Sequence, residues 1–262
     1  METMERTISE IDQERVRRKF NRACSTYDES AVAQQQIARH LSAVWEMYQR
    51  KHGFQPTTAL EIGCGTGGFT RYLQSSCVSA VWTLNDLYPA CAEKALRFCA
   101  ANTHFVCADA TAYPWIGPFE LIASSSVFQW FPAPGSFVQR LAGCQKSGHV
   151  LLFSTFLPGN LGEIRELTGQ GLVYPSAGQW RDWLSSLYDM EHIEESEIRL
   201  LFSSPKAVLR HLKETGVTGN HAEFWTPGRL RAFSAAYQER FGTVNQQVTL
   251  TYRPLYVLAV RK

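Results

Sequence analysis

The sequence predicts a doubly wound α/β fold: a mostly parallel, seven-stranded sheet, with N-terminal helices before it and a helical insertion towards its C-terminal end. Three observations carry this. From Thr57 to Phe156 short apolar runs alternate with helical stretches, and strands separated by helices form βαβ units with right-handed crossovers and a parallel sheet. A glycine-rich loop follows the first run and opens a helix. The chain has 262 residues, 45% hydrophobic and 12% aromatic, and a folded chain of that size hides roughly three quarters of its extended surface. The same composition excludes disorder. A net charge of +2 argues against a broad nucleic-acid surface.

The elements follow in order. Residues Ile11–Arg50 contain no Gly or Pro, and Val16, Phe20, Ile37, Leu41, Val44, Trp45 and Tyr48 recur at helical spacing. A polar break at Ser25–Glu29 splits the stretch into two helices, and Gly53 ends the second. ALEIG is the first strand, Phe69–Leu73 opens a helix, SAVWTLND is the second strand and Pro89–Ala101 the next helix. THFVCADA, FELIASSS and GHVLLFSTF are strands three to five, with Phe137–Leu141 in a helix between the last two. Residues 157–190 have no clean period. EIRLLF supplies a sixth strand. Helices are expected over 205–215 and 227–241, the second opened by the N-cap Thr226 and by Pro227 at its first position. VTLTYRPLYVLAVRK is the last strand, with Pro254 at an irregularity or edge. The chain is expected to be one domain over 1–262, with N-terminal helices in 1–52, a core in 53–156 and insertions at 157–190 and 203–241.

The N-terminus has no apolar segment of a secretory signal, and no run reaches 18 apolar residues. Seven cysteines form no CxxC pair, and the seven histidines show no ligand spacing. The expectation is a cytoplasmic protein with reduced thiols, no metal and no membrane contact.

The main motif is Glu61-Ile-Gly63-Cys64-Gly65-Thr-Gly67-Gly68. Gly63, Gly65 and Gly68 satisfy GxGxxG, the dinucleotide fingerprint. Glu61 with Gly63, Gly65 and Gly67 also satisfies ExGxGxG, the S-adenosylmethionine loop, so the glycines alone do not decide. Asp86 ends the second strand, where a carboxylate accepts ribose hydroxyls of either cofactor. Asp109-Ala110 ends the third strand, where S-adenosylmethionine enzymes bind the adenine amino group; an N-cap or an Asx-turn is the plainer role for Asp109. The fourth strand ends in Ser124-Ser125-Ser126-Val-Phe128-Gln129-Trp130, small polar groups suited to a pocket rim beside a sulfonium. Together these favour S-adenosylmethionine.

The chain resembles class I methyltransferases of Rossmann-like fold, and among them the malonyl-acyl-carrier-protein O-methyltransferases of biotin synthesis. The carrying segments are Phe20-Asn-Arg22-Ala23-Cys-Ser-Thr-Tyr27-Asp28 with Gln34, then LEIGCGTGGFT, SSSVFQWF, and Val208-Leu-Arg210-His-Leu212-Lys213-Glu-Thr-Gly216. The ribose acid in Leu84-Asn85-Asp86-Leu87 departs slightly at Asn85, and 157–190 matches loosely. The resemblance implies cofactor contacts from Tyr27, Gln34, Glu61, Gly63, Cys64, Gly65, Gly67, Asp86, Leu87, Asp109, Ala110, Ser124, Ser125 and Gln129. It implies methyl transfer to the free carboxylate of a malonyl thioester on acyl carrier protein, by a monomer whose residues 1–52 act as a lid and whose insertions face the acceptor.

A carboxyl of ordinary pKa, about 3–4, is ionised at neutral pH and needs no general base. Alignment and exclusion of water supply the acceleration. Tyr27 and Arg210 are the catalytic candidates; Phe128, Trp130, Arg210, Lys213 and Trp225 are the acceptor-binding ones. Most have a plainer alternative: Tyr27 as a helix-packing aromatic, Arg210 in a surface ion pair, Lys213 in solvent, Gln129 at a helix start, and the tryptophans in the core. The run Arg15, Arg17, Arg18, Lys19, Arg22 is either a carrier-docking surface or a solvated helix face. A free small carboxylate or a quinone-like ring is the alternative acceptor.

Overall fold

The computed structural model describes residues 27–216 and 225–262, apart from the side chains of Tyr27 and Asp28. The predicted first helix, with Arg15–Arg22, lies outside the described residues.

The described chain opens with a single turn, α1 (Tyr27–Ser30), and a long helix, α2 (Val32–His52). Ile37, Leu41, Val44 and Trp45 form one buried stripe of α2, at the spacing that puts side chains on one helix face. Gly53 ends the helix at φ 63° and donates its N–H to the Gln49 carbonyl at 2.8 Å, a left-handed cap that glycine adopts without steric cost.

The core then runs β1 (Thr58–Ile62), α3 (Thr70–Ser76), β2 (Val81–Asp86), α4 (Pro89–Leu96), β3 (Thr103–Cys107), β4 (Leu121–Ser125), a 3-10 turn (Phe128–Trp130), α5 (Pro134–Ala142) and β5 (Val150–Phe156). After it come α6 (Gly162–Thr168), α7 (Ala177–Ser185), β6 (Tyr188–Glu195), β7 (Ile198–Phe202), α8 (Pro205–Glu214), α9 (Pro227–Phe241), β8 (Val248–Tyr252) and β9 (Pro254–Arg261).

Seven strands form the main sheet in the order β3-β2-β1-β4-β5-β9-β6. β1 pairs in parallel with β2 and β4, and β9 runs antiparallel to β5 and β6. All seven residues of β5 are buried, as expected of a strand covered on both faces. Its side chains alternate between two apolar layers. Val150 and Leu152 join Leu41, Trp45 and Trp82 on one side. Leu151 and Phe153 join Phe128, Phe137 and Trp180 on the other. Burying each such side chain is worth about 1.5–3 kcal/mol.

Two expectations change. EIRLLF is a strand, but as β7 it pairs with β8 in a separate two-stranded sheet. The remaining strand of the main sheet is β6, in a stretch expected to be irregular at its start. The C-terminal run breaks at Arg253 into β8 and β9, because Pro254 has no N–H to continue a ladder. Residues 157–190 hold the two short helices α6 and α7.

The order reverses between β1 and β4: the chain winds outward to β3 on one side and through β5 on the other. Open α/β sheets bind ligands beyond the carboxyl ends of the strands at that point. Among the described residues no helix is long and apolar enough to cross a membrane, and no group of three or more His, Cys, Asp or Glu side chains is placed to hold a metal ion.

Candidate active site

The loop leaving β1 depends on three glycines with positive φ: Gly63 at 70°, Gly65 at 53° and Gly67 at 87°. They do different work. A Cβ on Gly63 would lie 2.4 Å from Val127 Cγ2, and one on Gly67 would lie 2.8 Å from Phe98 Cδ2, whereas Gly65 has nothing within 4 Å. Gly63 and Gly67 therefore permit close packing, and Gly65 presents bare backbone to open space. That space is a cavity of about 280 Å³, walled by the glycine loop, by Gln34 and Ala38 one turn apart on α2, by Phe98 and by Ser125. Cys64 also lines it.

Two carboxylates sit beneath the loop. Asp86 Oδ2 accepts the Gly65 N–H at 2.8 Å and its Oδ1 accepts the Tyr88 N–H at 3.0 Å. Burial lifts its pKa to about 6 against those hydrogen bonds. Glu61 is more extreme. It is 1% exposed, its Oε2 has no hydrogen-bond partner among the described residues, and burial, with the Asp86 charge adding to it, lifts its pKa to about 8. Desolvation disfavours the charged form in both. Asn85 has a use of its own: its Nδ2 donates to the carbonyls of Val106 and Ala108 and ties down the exit of β3. Asp109, on that exit, accepts the backbone N–H and hydroxyl of Thr111 on one oxygen, the Asx-turn geometry. Ala110 is buried beside it, and Leu87 is half-buried beyond Asp86.

A second, smaller cavity of about 30 Å³ adjoins the first at Gln34, which lines both. The Gln34 Oε1 is buried without a hydrogen-bond partner among the described residues. Trp130, Phe156, Leu172, Tyr174 and Tyr252 supply apolar wall to this cavity, and Ser126, Gln129, Asn160 and Thr215 supply polar atoms. Ser126 has φ 59°, a region few non-glycine residues occupy. Its N–H donates to the carbonyl and hydroxyl of Ser154, both at 3.1 Å, and its carbonyl accepts from Gln129 Nε2. Tyr252 is held by His211, whose Nε2 lies 2.8 Å from the tyrosine oxygen. Burial lowers the His211 pKa, opposed by Glu214 and the Ser30 backbone.

A methyltransferase-domain family profile matches residues 33–218. A malonyl-[acyl-carrier protein] O-methyltransferase from Porphyromonas gingivalis is 42% identical over 254 residues, 96% of this chain and 97% of that protein. Its namesake from Haemophilus influenzae is 34% identical over 97% of this chain and 96% of its own length. The chain belongs to the malonyl-[acyl-carrier protein] O-methyltransferase family. These are S-adenosylmethionine-dependent methyltransferases of class I fold. Solved structures share that fold: the N-methyltransferase NodS from Bradyrhizobium japonicum in complex with S-adenosyl-L-homocysteine aligns with a TM-score of 0.55 at 12% identity, over 94% of this chain and 98% of that one. The YcgJ protein from a Bacillus aligns at 0.58 and 15% identity, over 86% and 99%.

For this methyltransferase family the larger cavity fits the methyl donor by its chemistry. Bare backbone at Gly65 and an unsatisfied Gln34 oxygen suit a ligand that carries amine, ribose and sulfonium groups, while Glu61 and Asp86 lie buried beneath the loop and, like Leu87, Asp109 and Ala110, do not line the cavity. Gln34, Gly63, Cys64, Gly65, Gly67 and Ser125 meet there as the sequence predicts. Ser124 does not: it is fully buried, and its Oγ donates to the Ile62 carbonyl, strapping β4 to β1. Phe128 also departs from expectation. It packs against Phe131, Phe137, Phe153 and Trp180 in the core and lines neither cavity. Gln129 and Trp130 line the smaller cavity, with the Gln129 amide engaged by Ser126 and Thr155. Arg210 and Lys213 are exposed on α8, whose inward residues are Val208, His211 and Leu212. Trp225 is half-buried and stacks edge-on with Phe233 at 4.9 Å. The Tyr27 side chain lies outside the described residues. Ser126 was reached only as part of the rim run Ser124–Ser126, and its left-handed backbone singles it out; Asn160, Tyr174 and Tyr252 carry no sequence signal.

Proposed function

We propose that this chain transfers a methyl group from S-adenosylmethionine to the free carboxylate of a malonyl thioester on acyl carrier protein, giving a methyl ester early in biotin synthesis. The observation that carries this reading is the junction at Gln34 of the glycine-loop cavity with a smaller, aromatic-walled one. That is the arrangement methyl transfer between two bound groups requires.

The donor supplies a methyl group on a sulfonium, and both charges disappear when the carboxylate takes it. The chain's own residues have to bind, align and keep water out. In this reading Asp86 and Leu87 hold the ribose, Asp109 and Ala110 flank the adenine, Gly63–Gly67 and Glu61 form the floor, and Gln34, Ser125 and Tyr27 close over the methionine end. Gln129 acts by holding the Ser126 turn. Trp130 walls the acceptor side and Trp225 braces the insertion. Residues 1–52 and the insertions at 157–190 and 203–241 form the lid of one monomeric, cytoplasmic domain. Arg210 and Lys213, exposed on α8, together with Arg15–Arg22, meet the acidic surface of the carrier, where opposite potentials speed encounter.

The test uses purified protein, methyl-labelled S-adenosylmethionine and three acceptors in separate reactions: malonyl carrier protein, malonyl coenzyme A and free malonate. Mass spectrometry should show the gain of one CH₂ on the carrier-linked malonyl group, removable by alkali as an ester is. Labelling of free malonate alone would replace the carrier-linked acceptor with a small acid, and labelling of none would remove the acceptor assignment.

A further inference from the structure

We propose that the acceptor carboxylate is gripped by two neutral hydroxyl donors, Tyr174 and Ser126, with Asn160 as the positioning residue that aims Tyr174. This rests on the reading above and deepens it. The proton directions follow from one fixed point. The Arg253 backbone N–H can only donate, and it lies 3.0 Å from Asn160 Oδ1. The other end of that amide is therefore the NH₂ group, and its Nδ2 donates to the Tyr174 oxygen at 2.9 Å. The tyrosine oxygen is the acceptor in that bond, so its own proton is directed elsewhere. Among the described residues no group accepts it. The ring is buried and packs edge-on against Phe156 at 6.3 Å.

Ser126 faces the same cavity from the opposite element. Its left-handed backbone is held by Ser154 and Gln129, and its Oγ is buried with no hydrogen-bond partner among the described residues. Strained backbone of this kind persists where the surroundings over-determine it, and it concentrates at functional sites. Tyr174 and Ser126 thus both line a cavity whose described lining contains no charged side chain. An ionised carboxylate is an acceptor-only group that matches such donors. A guanidinium gripping both oxygens would draw off the electron density needed for attack. Neutral hydroxyls orient the group and leave it nucleophilic. They also select for it, because an acceptor without the carboxylate leaves both buried donors unpaired.

The experiment measures, by calorimetry, the affinities of malonyl and acetyl coenzyme A for the full protein saturated with S-adenosylhomocysteine. The wild type should prefer the malonyl thioester by about a hundredfold, the scale of two hydrogen bonds to a charged group. Tyr174→Phe and Ser126→Ala should each reduce that preference about tenfold. Affinity for the acetyl thioester and for S-adenosylhomocysteine should not move, whereas a merely structural role would weaken both. Asn160→Leu should reduce the preference as well, and add little in a Tyr174→Phe background. A wild-type preference that survives unchanged in Tyr174→Phe and Ser126→Ala overturns this proposal and spares the reaction assignment. A wild type that does not discriminate between the two thioesters overturns both.

Discussion

Replacing Glu61 with Gln separates burial from charge at the floor of the cleft. Below about pH 4.5 the Glu61 carboxyl is neutral in the folded and the unfolded chain alike. Above that value the unfolded chain ionises, but the folded chain keeps its proton until about pH 8. Over this window the folded state binds more protons, so wild-type stability falls as pH rises, by up to about 1.4 kcal/mol per unit. From 4.5 to about 8 the accumulated loss is about 4–5 kcal/mol. Glutamine is neutral throughout and close in shape. The variant should match the wild type near the acid end and exceed it by several kcal/mol near pH 8. The raised Asp86 pKa acts on both proteins and largely cancels in the difference. Urea unfolding at about pH 5, 6, 7 and 8, followed by tryptophan fluorescence, measures the gap. Two parallel stability curves would show that Glu61 is not held protonated by burial, and the reasoning would fail.

Three further outcomes are expected. Gly63→Ala meets both a left-handed φ and the Val127 methyls, and should destabilise the protein by about 2–5 kcal/mol; a thermal scan showing wild-type stability would contradict this. Asp86→Asn removes a buried carboxylate acceptor and should raise the S-adenosylmethionine Kd about tenfold or more, read by calorimetry. Arg210→Glu with Lys213→Glu lies on exposed surface, so folding should be unchanged. The KM for carrier-bound malonyl should rise several-fold at low salt while that for malonyl coenzyme A holds, and equal effects on the two would dismiss carrier docking on α8.

The inner strands β1, β2, β4 and β5 were legible because parallel, covered strands read as apolar runs, whereas β3, only half-buried at the sheet edge, was legible from its place after a helix in the βαβ alternation. β6 was not. Its sequence YDMEHIEE exposes Asp189, Glu191 and Glu195 at the sheet edge, so no apolar run marks it. α9 was placed at its first residue by Thr226 and Pro227, and Thr226 indeed caps Arg229 N. In the cleft the glycine pattern placed the loop, and Asp86 followed from the end of β2. Ser124 was put at the rim because a strand buried on both faces gives no alternation by which to tell inward from cleft-facing residues, and Phe128 because the single turn that follows is too short to show a period. The Asn160–Arg253 contact joins positions 93 apart in the chain. No local pattern announces such a pair.

The separate two-stranded sheet has an evolutionary consequence. β6 pairs with β9 and, next along the chain, β7 pairs with β8, so that β7 and β8 close one end of the segment that carries α8 and α9. Phe202 and Val248 stand opposite each other at that closure. The segment between them therefore enters and leaves the fold at a single rung, like a cassette clipped to a fixed frame. Substituting a different cassette at that rung would replace α8 and α9 while the other strands and the glycine loop stay intact. If the proposed acceptor-side role of this segment holds, acceptor choice drifts by exchange of one inserted block, without rebuilding the frame.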